Sequence, residues 1–144
     1  MGHTDNYICP KCFNSAELTY GIGFLWASYD ISIFYPQKTA NSCLLNIYDE
    51  LPIEIIKDVH EYIQTALTPT VSDVYYHPYI CKDCGKIETH IYFELYGHLY
   101  REIFTPKYRC NCGGDFKKIH HRQKNFYCNK CKTKMEWANG CMWD

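Results

Sequence analysis

The sequence lacks several features that would place it in familiar classes. No apolar run approaches the roughly 20 residues that a membrane-spanning helix needs, so we expect no membrane segment or membrane partner. The N-terminal stretch MGHTDNYICPKC has neither the basic nor the apolar region of a secretory signal, which favours a reducing, cytoplasmic compartment. His60-Glu61 is not followed by the second histidine of a His-Glu-x-x-His protease motif. Gly21 and Gly23 lack the third glycine of a dinucleotide-binding turn.

The chain is instead rich in cysteine and aromatic residues. Its 144 residues include ten cysteines, fourteen tyrosines and seven phenylalanines, a composition that favours a small, strand-rich protein. Because thiols in a reducing compartment bind metal rather than form disulfides, we predict metal sites. Cys43 and Cys141 stand alone, and we predict a buried apolar role for the first and a spare thiol for the second. Eight cysteines form four close pairs, called here the first to the fourth pair: Cys9/Cys12, Cys81/Cys84, Cys110/Cys112 and Cys128/Cys131.

The spacing of the pairs predicts how they share metal ions. The third and fourth pairs are separated by 15 residues, which is typical of a tetrathiolate zinc site built on a short hairpin. We therefore predict one zinc ion on these two pairs and a second on the first and second pairs, across a 68-residue insertion. Another assignment is also compatible with the sequence: the second pair joins the third across 25 residues, and the first joins the fourth. Iron, which four thiolates also bind, is the minor alternative to zinc.

Hydrophobic periodicity predicts an α+β, β-rich fold. Apolar residues at three- and four-residue steps predict one amphipathic helix at about 50–67. The segment GHLYREIF (97–104) is compatible with a short helix or with a continued strand. Strands are predicted at 18–26, 29–35, 43–48, 71–80 and 86–95.

The cysteine pairs carry a resemblance to a known class. The motifs are Cys-Pro-Lys-Cys at 9–12, Cys-Lys-Asp-Cys-Gly at 81–85, Cys-Asn-Cys-Gly-Gly at 110–114 and Cys-Asn-Lys-Cys at 128–131. Each resembles one half of a zinc ribbon, as found in transcription factors, RNA polymerase subunits, ribosomal proteins and small bacterial adaptors. The acidic Asp-Glu pair of transcript-cleavage ribbons is absent between Cys112 and Cys128.

Charge and spacing together predict two domains. Residues 1–105 would form a first ribbon carrying an inserted antiparallel sheet and the helix, with the insert at about 17–80. Residues 106–144 would form a basic C-terminal ribbon. Residues 1–100 hold 5 Lys and Arg against 12 Asp and Glu, a net −7, whereas residues 101–144 hold 10 against 4, a net +6.

These features predict a binding protein rather than an enzyme. Four thiolates close the coordination shell of zinc and leave no position for substrate, so we predict structural zinc and no catalytic residues. Basic and aromatic side chains of the C-terminal segment predict contacts with RNA or DNA. The candidates are Lys117, Lys118, Arg122, Lys124, Lys132, Lys134, Phe126 and Trp137. The alternative is a protein partner bound by the acidic insert through Tyr75, Tyr76, Tyr79, Tyr92 and Tyr96.

Overall fold

The computed structural model describes residues 2–22, 30–36, 47–97, 103–121 and 123–143. The chain folds into two compact units. The metal unit comprises Met1–Gly23, Tyr76–His90 and Lys107–Asp144, and the helix unit comprises Phe24–Tyr75 and Ile91–Pro106. These units interleave along the chain, whereas the expected domains, 1–105 and 106–144, follow one another.

The described elements form two sheets and a small helical part. One sheet has three strands and the other has four. This mixed, strand-rich architecture confirms the predicted α+β class. The described strands are β1 (Gly2–Ile8), β2 (Ser15–Tyr20), β3 (Thr70–Cys81), β4 (Ile87–Tyr96), β5 (Ile103–Phe104), β6 (Phe116–Lys118) and β7 (Glu136–Trp143). The three-stranded sheet has the order β2-β1-β7, and the four-stranded sheet has the order β5-β4-β3-β6. The described helices are α1 (Ile47–Glu50), α2 (Ile53–Thr65) and a 3₁₀ helix at Ile31–Phe34.

The three-stranded sheet joins the two ends of the metal unit. β1 and β2 form an antiparallel hairpin in which Ile8 lies opposite Ser15. β7 pairs antiparallel with the other edge of β1, from Gly2 opposite Trp143 to Ile8 opposite Glu136. This pairing places the C-terminal strand beside the N-terminal one. Sequence patterning did not predict β7, because EWANGCMW has a central glycine and no regular alternation of apolar and polar residues.

Helix α2 is the amphipathic helix that periodicity predicts. Ile55, Ile56 and Val59 are buried, and the helix starts directly after Pro52. It is shorter than the predicted 50–67 at both ends, because α1 and a break at Leu51 precede it and the chain becomes extended at Ala66. No helix in the described ranges is long and apolar enough to cross a membrane.

Two predicted strands of the helix unit are wrong where the structure describes them. The alternating segment 29–35 forms a 3₁₀ helix at Ile31–Phe34, because the Asp30 carboxylate accepts a hydrogen bond from the Ser32 amide at 2.7 Å and caps the turn. This helix buries both Ile33 and Phe34, and the Phe34 ring lies 4.9 Å from that of Phe93. The predicted strand 43–48 reaches α1 at residues 47–48.

The remaining parts of these predictions are only partly covered by the described residues. Residues 43–46, with Cys43, lie outside the described ranges, as do 23–29 of the predicted strands. The segment 97–104, which was compatible with helix or strand, ends in the short strand β5, and its residues 98–102 are not described. The strand predicted at 18–26 is present as far as Tyr20, within β2.

Candidate metal centres

The eight paired cysteines form two groups of four. The outer site consists of Cys9, Cys12, Cys128 and Cys131, and the inner site consists of Cys81, Cys84, Cys110 and Cys112. Within each group, all four sulfur atoms lie within 4.8 Å of one another. The structure therefore joins the first pair to the fourth and the second to the third. The pairing that the 15-residue spacing predicted is wrong, and the other assignment is correct.

Strand pairing explains why the spacing rule failed. β6 pairs with the end of β3, with Phe116 opposite Cys81, and this brings the third pair beside the second. β7 pairs with β1 up to Glu136 opposite Ile8, and this brings the fourth pair beside the first. The 15 residues between the third and fourth pairs therefore lead from one site to the other and do not form a hairpin within one site.

All four pairs lie in the same kind of backbone turn. The residue after the second cysteine has a positive φ, and its amide donates to the carbonyl of the first cysteine. These residues are Phe13 (φ 58°), Gly85 (75°), Gly113 (92°) and Lys132 (60°), with N···O distances of 2.9, 3.1, 2.8 and 2.9 Å. The amide of the first cysteine donates to a carbonyl further along the turn, at Asn14, Lys86, Gly114 and Thr133, respectively. A phenylalanine and a lysine adopt a backbone conformation that favours glycine, which indicates that the turn geometry is imposed by the site.

The sulfur–sulfur distances fit a tetrahedral metal ion. Four sulfurs at about 2.3 Å from one zinc ion lie about 3.8 Å apart, whereas disulfide-bonded sulfurs lie about 2.05 Å apart. Sulfur–sulfur distances within the two groups are 3.4 Å (Cys9–Cys131), 3.5 Å (Cys12–Cys128), 3.6 Å (Cys12–Cys131), 3.5 Å (Cys81–Cys112) and 3.7 Å (Cys84–Cys110). The eight cysteines are free thiols with the donor set and spacing of two metal sites.

The electrostatics of the thiols also fit a cation at each site. In the inner site, the amide of Cys84 lowers the pKa of Cys81 to about 7. In the outer site, hydrogen bonds from the Thr133 hydroxyl and amide lower the pKa of Cys131 to about 6. The Asn14 amide lowers the pKa of Cys12, but hydrogen bonds with the neighbouring thiols outweigh it and raise this pKa to about 12. Four neighbouring thiols do not all lose their protons in the absence of a cation, because the thiolates would repel one another. A divalent ion would stabilise all four thiolates.

Neighbouring side chains support both sites. An added Cβ at Gly114 would lie 2.4 Å from Asp83 Oδ2 and 2.9 Å from Cys81 Sγ, so glycine lets the turn of the third pair approach the second. The side chain of Lys132, in the turn of the fourth pair, donates to the carbonyl of Cys84 in the inner site at 3.4 Å. The two sites are therefore neighbours within the metal unit.

A small apolar core lies beside the outer site. Its buried members are Cys9, Leu18, Ile119, Phe126, Cys128 and Met135. Phe126 is only 1% exposed, and its ring meets that of Tyr7 edge-on at 4.9 Å. The prediction that Phe126 stacks on a nucleobase is wrong, because this ring is part of the core that holds the fourth pair in place.

The other nucleic-acid candidates lie mostly on the surface. Trp137 is 59% exposed, and Arg122 lies outside the described residues. The exposed lysines among the candidates are Lys117, Lys118, Lys124, Lys132 and Lys134. His120 and His121 are exposed and belong to neither cysteine group. Cys141 is exposed, as expected of a spare thiol.

Most of the nucleic-acid candidates line one of two clefts in the metal unit. The inter-site cleft, of about 350 Å³, is lined by Cys81 of the inner site and Cys128 of the outer site. Lys117 and Lys132 line it together with Lys82, which sequence reasoning missed because it lies far from the basic C-terminal segment. The aromatic cleft, of about 590 Å³, is lined by the candidates Lys124, Lys134 and Trp137, and Phe126 lines both clefts.

Comparison with known proteins assigns the chain to no family: it matches no protein-family model, no curated protein and no solved structure. The function is therefore argued from the metal unit itself.

Proposed function

We propose that the protein holds two structural zinc ions and that it is a binding protein rather than an enzyme. Each site offers four thiolates, which fill the tetrahedral shell of zinc and leave no position for water or substrate. The ions would tie together turns that are distant in the chain, at 9–12 and 128–131 and at 81–84 and 110–112. Two zinc ions per chain are expected, and iron would be recognised by its colour and its redox activity.

We further propose that the metal unit binds single-stranded nucleic acid through the inter-site cleft. The observation that carries this proposal is the composition of the cleft. Three lysines, Lys82, Lys117 and Lys132, line it, and none of the twelve described residues that line it is acidic. Asn125 and Asn129 also line it.

The lysine, asparagine and tyrosine side chains of the cleft can each contact a different part of a nucleic-acid strand. Lysine ammonium groups neutralise backbone phosphates, and asparagine amides can both donate to and accept from base edges. The ring of Tyr127, which is 57% exposed, offers a flat surface on which an unpaired base can stack.

The attraction would come from the lysines of the cleft and not from net charge. The metal unit holds 12 Lys and Arg against 7 Asp and Glu, a formal +5. Because each zinc ion with four thiolates carries about −2, two sites bring this charge to about +1. Local placement of the cations is therefore what the proposal depends on.

Replacing two cleft lysines is expected to reduce the salt dependence of binding. The double variant Lys82→Gln/Lys117→Gln removes two phosphate contacts, and the slope of log K against log salt should fall in magnitude by about 1.4. The measurement is fluorescence anisotropy of a labelled single-stranded oligonucleotide with the zinc-loaded protein at several salt concentrations.

The double variant Lys118→Gln/Lys130→Gln is a matched control. It removes the same charge from exposed positions of the same unit that line neither cleft, so its slope should stay close to that of the wild type. Equal losses in both variants would contradict the assignment to the cleft and would indicate diffuse electrostatic attraction.

The alternative function, binding of a protein partner, has one supporting observation. The helix unit holds 3 Lys and Arg against 9 Asp and Glu, a formal −6, which would attract a basic partner. The tyrosines proposed for this contact are not exposed: Tyr79 and Tyr92 are buried, and Tyr75, Tyr76 and Tyr96 are half-buried. Failure of any oligonucleotide to bind at low salt would favour this alternative.

A further inference from the structure

An exposed tryptophan in the aromatic cleft is held in a fixed orientation. The indole Nε1–H of Trp137 donates to Asp5 Oδ1 at 3.1 Å, although the side chain is 59% exposed. Gly140 lies opposite Asp5 in the pairing of β7 with β1, and an added Cβ there would lie 2.7 Å from the same Oδ1. The carboxylate thus fits against the backbone of β7 because residue 140 is glycine. Asp5 in turn fixes the indole plane before any ligand arrives, which lowers the entropy cost of stacking.

The cleft contains further aromatic surface. His3 and Tyr20 line it, and their rings are stacked with centroids 4.5 Å apart and an angle of 12° between the planes. Tyr20 is braced from the side by His77, whose ring meets it edge-on at 5.4 Å. Flat, fixed rings in a cleft of about 590 Å³ suit a planar aromatic ligand such as an unpaired base.

The acidic side chains of the cleft would favour some bases over others. Asp5 and Glu136 line the cleft, and ionised carboxylates only accept hydrogen bonds. Adenine, cytosine and guanine carry an exocyclic amino group that donates to such acceptors. Thymine and uracil offer only a ring N3–H between two carbonyl oxygens, and an ionised carboxylate repels these oxygens. Lys124 and Lys134, which also line the cleft, can neutralise the phosphates on either side of the bound base.

We propose that the aromatic cleft binds an unpaired nucleobase that carries an exocyclic amino group, with Trp137 as its stacking surface. The proposal rests on the proposed function, because the inter-site cleft would hold the phosphates of the same strand. Gln123 and Phe126 line both clefts, so a strand leaving one cleft enters the other directly. The two clefts then have separate tasks: the first attracts the backbone, and the second selects the base.

β7 supplies a matched control for Trp137. The indole of Trp143 also donates to a β1 side chain, the Thr4 hydroxyl, at 3.1 Å. Trp143 does not line the aromatic cleft. Replacing either tryptophan therefore removes one indole and one hydrogen bond to β1. Only the replacement of Trp137 also removes a ring from the aromatic cleft.

The test compares binding of short oligo-dA, oligo-dC and oligo-dT to zinc-loaded protein by fluorescence anisotropy. We expect the wild type to bind oligo-dA and oligo-dC several-fold more tightly than oligo-dT. Trp137→Ala should weaken oligo-dA binding about tenfold or more without changing the salt dependence of binding. Trp143→Ala should change the affinity for oligo-dA less than twofold. Gly140→Ala, which keeps the indole but displaces Asp5, and Asp5→Asn should both reduce the preference for amino-bearing bases.

Each outcome is decisive for one of the two proposals. Equal affinities of the Trp137→Ala and Trp143→Ala variants would overturn the stacking role, while binding that still depends on Lys82 and Lys117 would leave the proposed function standing. Equal affinity of the wild type for all three oligonucleotides would overturn the base preference. If no oligonucleotide binds at low salt, both proposals fail. The metal content and the unfolding midpoint of each variant show whether it is folded. Trp137→Phe keeps an aromatic ring and should therefore recover part of the affinity that Trp137→Ala loses.

Discussion

Removal of the metal ions by a strong chelator is expected to unfold the metal unit. The two sites join four turns from distant parts of the chain. Among the described residues, the core beside the outer site has six buried members, two of which are the ligands Cys9 and Cys128. Structural zinc contributes about 10–16 kcal/mol in small zinc domains, which is comparable with the whole stability of an ordinary domain. Without the ions, only the four other buried members of this core would hold the turns of the outer site, and we expect them to be too few.

Hydrogen exchange of individual amides measures this loss. In the folded protein, the amides of Cys9, Cys81, Cys110 and Cys128 donate to backbone carbonyls at 2.8–2.9 Å and should be protected. After chelation their protection should disappear, and it should return when zinc is added back. Protected cysteine amides in a protein shown by mass spectrometry to be free of metal would contradict the structural role of the ions.

Replacing Phe126 is expected to cost far more stability than replacing its neighbour Tyr127. Phe126→Ala empties a position that is 1% exposed in the core beside the outer site, and it should lower the free energy of unfolding by about 3–5 kcal/mol. Tyr127→Ala removes a side chain that is 57% exposed, and it should change the free energy by about 1 kcal/mol or less. Denaturant unfolding of both variants at saturating zinc measures the difference.

The same two variants also separate stability from binding. Tyr127→Ala should weaken binding of a single-stranded oligonucleotide, because its ring lines the inter-site cleft. A Phe126→Ala variant with wild-type stability and lost affinity would contradict the structure and would restore Phe126 as a stacking residue.

Local features of the metal unit could be predicted from the sequence. The eight cysteines that form the two groups were identified from close pairing alone. Helix α2 was predicted from its apolar periodicity. Each of these features depends on residues within a few positions of one another, where spacing and backbone preference are sufficient.

The long-range features could not be predicted in the same way. Which cysteine pairs meet depends on the registers of β7 with β1 and of β6 with β3, and a count of intervening residues carries no information about either register. The place of Lys82 in the inter-site cleft also depends on long-range pairing, because the inner site brings Lys82 close to the C-terminal segment. In the sequence, Phe126 is an aromatic residue among lysines, as an exposed stacking residue would also be. Only its burial in the structure shows that it belongs to the core.

The metal content of two double variants tests the pairing of the sites most directly. Cys9→Ser/Cys128→Ser removes two ligands of the outer site and leaves the inner site complete, whereas Cys9→Ser/Cys81→Ser removes one ligand from each site. Native mass spectrometry at saturating zinc should find one zinc ion per chain in the first variant and none held with full affinity in the second. The reverse result, none in the first and one in the second, would contradict the structure and would restore the pairing that the 15-residue spacing predicts.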